Sequence, residues 1–422
     1  MRKHDAKEFV TIIDFIGNYK NNYLIPVALS GDKSLNKDNI RRKIEDTSYI
    51  KGVSTINFEE VAKEQIYKSI NVNNLTELKK LKEAFIELKN RIGRLPLIYD
   101  FIENDSIDPV VIVKAHNSYH HFLLRVGEKM PSLSVYEEQV LVMLSNEILP
   151  GKRSHEVLLL EMLILNGHVP YEQYITKLQQ SGCLIDNATL SSVARTMDLS
   201  FFVQAQRVKY GSMPICIFEE NSTIRINESI QKSLKNNKYF KDLIVDIVKS
   251  AIENKKNYDG GSPLTLHRKY TRKDVCRLLN WDSDESSTVY GYKTKFGTCP
   301  IFVTYHKHDD VEASVKYEDE LVARNVLKWY TRSNRTLQSE EVKQIIKAKD
   351  NGISVHIFVK KDDDEGSDFY YLGEANPDQS TVEQKSMSGK DNKEIPVVSM
   401  DLVLEHPVES RLYYYLKAGG KL

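Results

Sequence analysis

Residues 290–335 read YGYKTKFGTCPIFVTYHKHDDVEASVKYEDELVARNVLKWYTRSNR and combine three kinds of side chain in one short stretch. These are aromatic rings, acidic acceptors and cations: Tyr290, Tyr292, Tyr305, Tyr317, Trp329 and Tyr330; Glu318 and Asp319; Lys293, Lys295, Lys307, Arg332 and Arg335. Together such groups can hold one base outside a DNA duplex. The same pattern is also typical of a β-sheet core with a hydrated surface. The stretch alone does not decide between a base-binding pocket and a sheet core.

Length and composition indicate a globular protein of two or three domains. The chain has 422 residues, of which 41% are hydrophobic and 28% charged. Its formal net charge is zero, so any contact with DNA would need local basic patches. The four cysteines are widely spaced and form no CxxC, which argues against a cysteine zinc site or a disulfide framework and favours a reducing cytoplasm. No apolar run reaches the roughly 18 residues of a membrane helix, and no signal peptide opens the chain.

The first segment, residues 1–49, contains the apolar, β-branched run FVTIIDFI at residues 9–16. This run predicts a buried strand, typical of a parallel sheet. A lone parallel strand needs neighbours in its sheet, so we expect a truncated domain at the front of the chain. The alternative is that the strand pairs with a later part of the same chain.

Residues 50–258 are predicted to be a helical region. Apolar residues recur at helical spacing from Leu75 to Ile92, and Gly93 and Pro96 end that pattern. Residues 214–219 and 223–226 predict a short hairpin after a helix, which is the outline of a winged helix. His116, His120 and His121 are interpreted as helix-surface residues, because no acidic or cysteine partner lies at metal-ligand spacing. No metal site is predicted in the chain.

The sequence YDGGSP at residues 258–263 breaks all periodicity and predicts a domain boundary. Beyond it, residues 264–422 predict a helix capped by Thr271 and short strands at residues 288–295, 299–306, 313–317, 353–360, 368–374 and 397–404. We predict an α+β fold, with a mostly helical first part and a curved or barrel-like sheet in the second.

Two motifs bear on whether the chain is catalytic. No GxxxxGK[ST] occurs, so the chain carries no P-loop. His267, Lys269 and Asp274 fit HxKxxxxD, the signature of phospholipase D-type nucleases. The usual following Gly-Ser is absent, and a second copy would be needed, so we expect no catalytic residue in this chain.

Several longer strings resemble one bacterial family. They are YTRKDVCRLLNW from Tyr270, CPIFVTYHK from Cys299, KYEDE from Lys316, DFYYLGEA from Asp368 and LEHPVE from Leu404. The chain resembles the C-terminal part of SauUSI-type enzymes, which are type IV, modification-dependent restriction endonucleases. The front segment is similar to the end of a superfamily 2 helicase core, namely its second RecA-like domain.

The resemblance implies three parts: the end of a helicase domain (residues 1–49), a helical coupler (50–258) and an SRA-like (PUA-like) domain (264–422). Domains of that last type bind 5-methylcytosine or 5-hydroxymethylcytosine by flipping it from duplex DNA. The parent enzyme would be an ATP- and Mg-dependent endonuclease, whereas this chain would need no cofactor. Its partners would be modified duplex DNA and the helicase and nuclease domains of the same parent. The parent could be a dimer. The alternative function is a regulatory or oligomerisation module that does not bind DNA.

Side-chain chemistry then selects the candidate site. Stacking on the base is assigned to Tyr305, Tyr317 or Trp329, and recognition of the base edge to Glu318 or Asp319. Contacts to DNA phosphates are assigned to Lys295, Lys307, Arg332, Ser333 and Arg335. Val303 or Val315 would line a niche for the methyl group.

Overall fold

The computed structural model of the chain describes residues 13, 17, 20–45, 56–220, 222–306, 319–388 and 394–418. The fold is α+β and 48% helical, with helices first and a curved mixed sheet, a half-barrel, at the C-terminal end. This confirms the predicted fold class. The strand predicted at residues 9–16 lies outside the described residues. In the described part of the chain, no helix has the length and apolar character needed to cross a membrane.

The N-terminal helices pack on the C-terminal sheet. They are α1 (Leu24–Ser30), α2 (Lys37–Glu45) and α3 (Glu60–Val72). Ile40 and Ile44 of α2 and Ile66 of α3 are buried in one hydrophobic cluster with the sheet residues Leu372 and Met400. Helix α3 lies within residues 50–258, the predicted coupler, and its buried face packs on the core of the sheet.

The middle of the chain forms a second core from helices. They are α4 (Leu78–Ile92), α5 (Ile98–Glu103), α6 (Pro109–His116), α7 (Tyr119–Val126), α8 (Val135–Met143), a π-helix (Leu144–Ile148), α9 (Ser154–Asn166), α10 (Tyr171–Gln180), α11 (Asn187–Met197), α12 (Gln204–Lys209), α13 (Glu228–Asn236) and α14 (Lys238–Asn254). The predicted stripe is confirmed in α4, where Leu81, Phe85 and Leu88 are buried. Gly93 ends this helix with a left-handed φ of 70°, a conformation that glycine adopts without strain.

The predicted hairpin is also confirmed. Strand β2 (Cys216–Phe218) pairs antiparallel with β3 (Thr223–Ile226), and β1 (His168–Pro170) adds to the other edge of β3. The order α9, β1, α10, α11, β2, β3 is the outline of a winged helix. Within this unit, α11 and α12 are separate helices, because Leu199 adopts a positive φ of 68° between them.

The C-terminal sheet begins with a short strand and a helix and ends with another helix. Its elements are β4 (Lys269–Tyr270), α15 (Arg272–Leu278), β5 (Thr298–Thr304), β6 (Glu320–Ala323), β7 (Val326–Tyr330), α16 (Glu340–Ile346), β8 (Ser354–Lys360), β9 (Phe369–Ser388), β10 (Glu394–Leu404) and α17 (Ser410–Lys417). The order is β5-β8-β9-β10-β7-β6, with β4 paired to β9. Only the pairing of β5 with β8 is parallel among these described strands.

Predictions for this sheet were right for three of its strands and wrong for others. The apolar runs at residues 299–306, 353–360 and 397–404 form β5, β8 and β10. Residues 288–295 do not form the predicted strand; they make two isolated bridges, because Gly291 turns the chain with a φ of 78°. The hairpin of β6 and β7 was missed, since its two-residue turn, Arg324-Asn325, carries no strong turn signal. The strand predicted at residues 313–317 lies outside the described residues.

Candidate functional site

Trp329, a predicted base-stacking residue, lies in the core of the sheet. Its side chain is 3% exposed, and its ring meets that of Tyr292 edge to face at 5.1 Å. The cause is the alternation along β7, in which Leu327 and Trp329 point inward while their neighbours are half-buried. Its ring is therefore engaged in packing.

The other described members of the predicted base pocket also support local structure. Asp319 is 6% exposed, and its Oδ1 accepts the N–H of Tyr330 at 3.0 Å. The hydroxyl of half-buried Tyr305 accepts the N–H of Leu321 at 3.3 Å, and burial raises the pKa of Tyr305 to about 12. Val303 is a buried residue of β5. Tyr317, Glu318, Lys307 and Val315 lie outside the described residues, so the pocket as a whole stays a prediction.

Acidic neighbours hold the predicted phosphate-binding cations. Arg332 Nη2 lies 2.6 Å from Glu341 Oε2, and Arg335 Nε pairs with the same carboxylate. Although burial acts to raise it, the pKa of Glu341 is lowered, mainly by its hydrogen bonds from Arg335 and Tyr292. Lys295 pairs with Glu285, which also binds Lys293 at 2.5 Å, and Ser333 is half-buried in the same loop as Arg332.

The residues of the HxKxxxxD string face separate partners. Lys269 Nζ lies 2.7 Å from Asp38 and 3.1 Å from Glu365. Asp274 binds Lys152 at 2.6 Å and also caps helix α15 through the N–H of Thr271. His267 lies beside Glu409, with 3.8 Å between its Nδ1 and Oε2 of the carboxylate. Ion pairing of this kind gives Lys269 and Asp274 structural partners.

An open cleft of about 710 Å³ lies between the helical region and the sheet. Eight basic side chains line it, and they come from three distant segments: Arg42; Lys114, Lys152 and Lys209; Lys269, Arg268, Lys273 and Arg277. Five of them form ion pairs with acidic neighbours, namely Lys114, Lys152, Lys269, Lys273 and Arg277.

Three cations of the cleft lack an acidic partner within the described residues. Arg42 is exposed and Arg268 is half-buried, and neither guanidinium makes a side-chain hydrogen bond or ion pair there. Lys209 donates to the amide oxygen of Asn117 at 2.8 Å. None of the three was predicted from the sequence, because only the tertiary fold brings them to one surface. These residues are free to meet an anionic ligand.

A buried ionic cluster joins the helical region to the sheet domain. Glu147 lies on the π-helix and accepts a hydrogen bond from Tyr210 at 2.5 Å. Across the boundary, the same carboxylate pairs with Lys273, and Arg277 Nη1 lies 3.8 Å from its Oε2. π-Helical turns are frequent at functional positions, and this one points its acid at the neighbouring domain. The cluster therefore holds the two parts in one orientation.

In the winged-helix-like unit, helix α11 stands where DNA-binding proteins of this outline place the helix that enters the major groove. Here it packs on α15 of the sheet domain. Ser192 Oγ donates to the carbonyl of Arg277 at 2.9 Å, and Arg195 donates to that of Asn280 at 3.0 Å. At the hairpin, Arg225 pairs with Glu219 at 3.0 Å. In this arrangement α11 serves domain packing.

Comparison with known families adds two matches. Residues 264–416 match a domain of unknown function, DUF3427. Residues 81–260 match a second domain of unknown function, DUF8090. Domains of the first type are often found in helicase-associated proteins. No curated protein matches the chain. The comparisons thus relate residues 264–416 to helicase-associated proteins and assign no activity to either part.

Proposed function

We propose that this chain is the DNA-binding, coupling part of a helicase-associated protein and that duplex DNA binds along the cleft. One observation carries the proposal. In a chain of zero net charge, Arg42, Lys209 and Arg268 come from three distant segments to one open cleft without an acidic partner among the described residues. Cations in such positions can replace the counterions of DNA phosphates, which is the main source of non-specific affinity for DNA.

The coupling role rests on the ionic cluster around Glu147. A motor transmits force only through parts that keep their relative orientation. Pairs between Glu147 and Lys273 and between Lys152 and Asp274 fix the helical region to the sheet domain. The resemblance of the chain to the region that follows a helicase core agrees with this role.

The finer proposal is that the ligand is duplex DNA containing 5-methylcytosine or 5-hydroxymethylcytosine, with the base flipped from the helix. It rests on the resemblance to modification-dependent restriction enzymes and on the curved sheet. The parent would then be an ATP-dependent endonuclease in which this chain reads DNA. The competing proposal is a regulatory or oligomerisation module of a superfamily 2 helicase, which would leave DNA unbound.

Fluorescence anisotropy on the full chain would test these proposals. The probes are duplexes that differ by a single modified cytosine, titrated at several matched salt concentrations. We expect log K to fall linearly with log salt, and Lys209→Gln to weaken binding to all duplexes alike. Lys238→Gln, at an exposed position outside the cleft, is the matched control.

Each outcome separates one proposal from the others. Tighter binding to the modified duplex supports the finer proposal, whereas equal affinities at every salt concentration refute it. The absence of salt-dependent binding to any duplex refutes DNA binding itself. A sedimentation experiment in which the chain self-associates would then support the oligomerisation alternative.

A further inference from the structure

A notch of about 320 Å³ opens between helix α2, the segment that leads into β4, and helix α17. Arg42 and Arg268 line both this notch and the cleft. The notch therefore continues the cleft toward the sheet. Leu266 and Leu412 supply apolar parts of its wall, and the buried rings of Tyr370 and Tyr415 lie behind them.

Arg42 and Arg268 line the notch close enough for their charges to interact, and neither makes an ion pair within the described residues. Burial, and then the nearby charge of Arg42, lower the pKa of Arg268. Like charges brought together in this way disfavour the empty site, and an anion between them would relieve the repulsion. Arg41, a third guanidinium in the wall, already binds Asp38 at 2.8 Å and Asn71 at 2.6 Å.

The acids around the notch have other partners. Glu45 accepts from Tyr67 at 2.7 Å and lies 3.2 Å from Lys63. Glu409, the other acid that lines the notch, lies 3.8 Å from Nδ1 of His267. Within the described part of the chain, neither carboxylate makes an ion pair with Arg42 or Arg268.

The backbone of His267 is held in a left-handed conformation at the rim. Its φ is 61°, and its N–H donates to the carbonyl of Tyr371 at 2.7 Å. Such conformations cost free energy and are frequent at functional positions. The imidazole Nε2 accepts the N–H of Glu409 at 3.3 Å, so the proton of the neutral ring lies on Nδ1. This contact joins the rim to the start of α17.

We propose that the notch is a phosphate-binding site in which Arg42 and Arg268 hold one phosphate group between them. Guanidinium groups suit this ligand, because their planar donors match phosphate oxygens in pairs. If the proposed function is right, this phosphate is a backbone phosphodiester of the duplex in the cleft, and that assignment rests on the proposed function. A free phosphate ion or a terminal phosphate monoester has the same chemistry, and the experiment separates these sources.

The test uses the full chain, inorganic phosphate and three variants. Phosphate is titrated against chloride at matched ionic strength, and binding is followed by the rise in melting temperature. We expect Arg42→Gln and Arg268→Gln each to weaken the apparent affinity about tenfold or more, since a charged hydrogen-bonding partner is lost. Arg91→Gln, at an exposed position outside the notch, should leave it unchanged. The melting temperature of each variant in chloride shows that it folds.

Duplex DNA provides the second arm. If the ligand is the DNA backbone, Arg268→Gln should lower the salt slope of binding by about one, and phosphate should compete with DNA. Phosphate binding that depends on both arginines, with an unchanged DNA slope, assigns the notch to free or terminal phosphate. If the chain binds phosphate in the notch but binds no DNA, the notch proposal stands and the proposed function is refuted. No protection by phosphate, with an unchanged slope in both variants, overturns the notch proposal even if DNA binds.

Discussion

Lys152 Nζ lies 2.6 Å from Asp274 Oδ2, and this pair links the helical region to the first helix of the sheet domain. The two side chains are only 11% and 9% exposed. Burial alone would raise the pKa of Asp274, but the charges of Lys152 and Arg277 hold it well below its usual range. The carboxylate also caps α15, so one side chain supports both a helix and a domain contact.

Removing this carboxylate should destabilise the chain strongly. Asp274→Ala leaves Lys152 buried without its partner, and we expect a loss of about 3–5 kcal/mol in the free energy of unfolding. Urea denaturation at neutral pH measures it. Asp242→Ala breaks the exposed pair with Lys238 and should cost less than about 1 kcal/mol. Equal losses in the two variants would contradict the structural role of Asp274. Because its pKa is lowered on folding, the contribution of Asp274 should be lost as pH falls below the ordinary value of 3.8.

The position of Trp329 predicts a stability defect from its truncation. Trp329→Ala removes a buried ring and should lower the free energy of unfolding by about 3–5 kcal/mol. Tyr290→Ala is the control in the same segment, since Tyr290 is 68% exposed, and its change should stay within about 0.5 kcal/mol. If Trp329→Ala lost DNA binding at unchanged stability, the ring would instead be a binding residue.

Local signals predicted the central elements of the fold. The capping box of Thr271 and Asp274 lies within four residues, and the apolar run of β8 is continuous, so both could be recognised from sequence. The packing of α2 and α3 on the sheet could not be predicted. Their apolar stripes show that one face of each helix is buried but do not specify which surface covers it. The two-residue turn before β7 was missed for lack of glycine or proline.

The candidate site was harder to predict for a physical reason. A cluster of aromatic and charged residues in sequence, such as residues 290–335, becomes partly core once strand alternation turns Trp329 inward. Pairing with Glu341 then occupies Arg332 and Arg335. Arg42 and Arg268 became candidates only because the fold leaves them unpaired in one cleft, and no local pattern marks either one.

Buried His356 should make stability depend on pH. Burial lowers its pKa from 6.5 to about 4. Between these values the unfolded state binds more protons than the folded state, so stability falls as pH decreases from 6.5 toward 4. The contribution of this one residue could reach about 3 kcal/mol.

Urea denaturation of His356→Asn at pH 7.5 and pH 5 checks this. Asparagine keeps an acceptor near Tyr371, whose hydroxyl lies 3.1 Å from Nδ1 of the histidine, but it does not titrate. The difference in stability between the two pH values should therefore shrink. His168→Asn, at an exposed position, should leave the difference as in the natural chain. An unchanged difference in His356→Asn would mean that other groups cause it.

Asp246 on α14 caps the distant helix α5. Its Oδ2 accepts the N–H of Ile98 at 2.6 Å and its Oδ1 that of Tyr99 at 3.0 Å, and the residue is 3% exposed. Asp246→Ala removes the acceptor of both donors in a buried place, so we expect a loss of about 1–3 kcal/mol in the free energy of unfolding. In Asp246→Ala, hydrogen exchange at the amides of Ile98 and Tyr99 should become faster than in the natural chain. The amides of α9 should change less. Asp242→Ala, one turn earlier on α14, serves as the exposed control. If exchange at the two amides stayed unchanged in Asp246→Ala, the cap would not stabilise α5, and the packing of the buried ring of Phe101 would have to hold that helix instead.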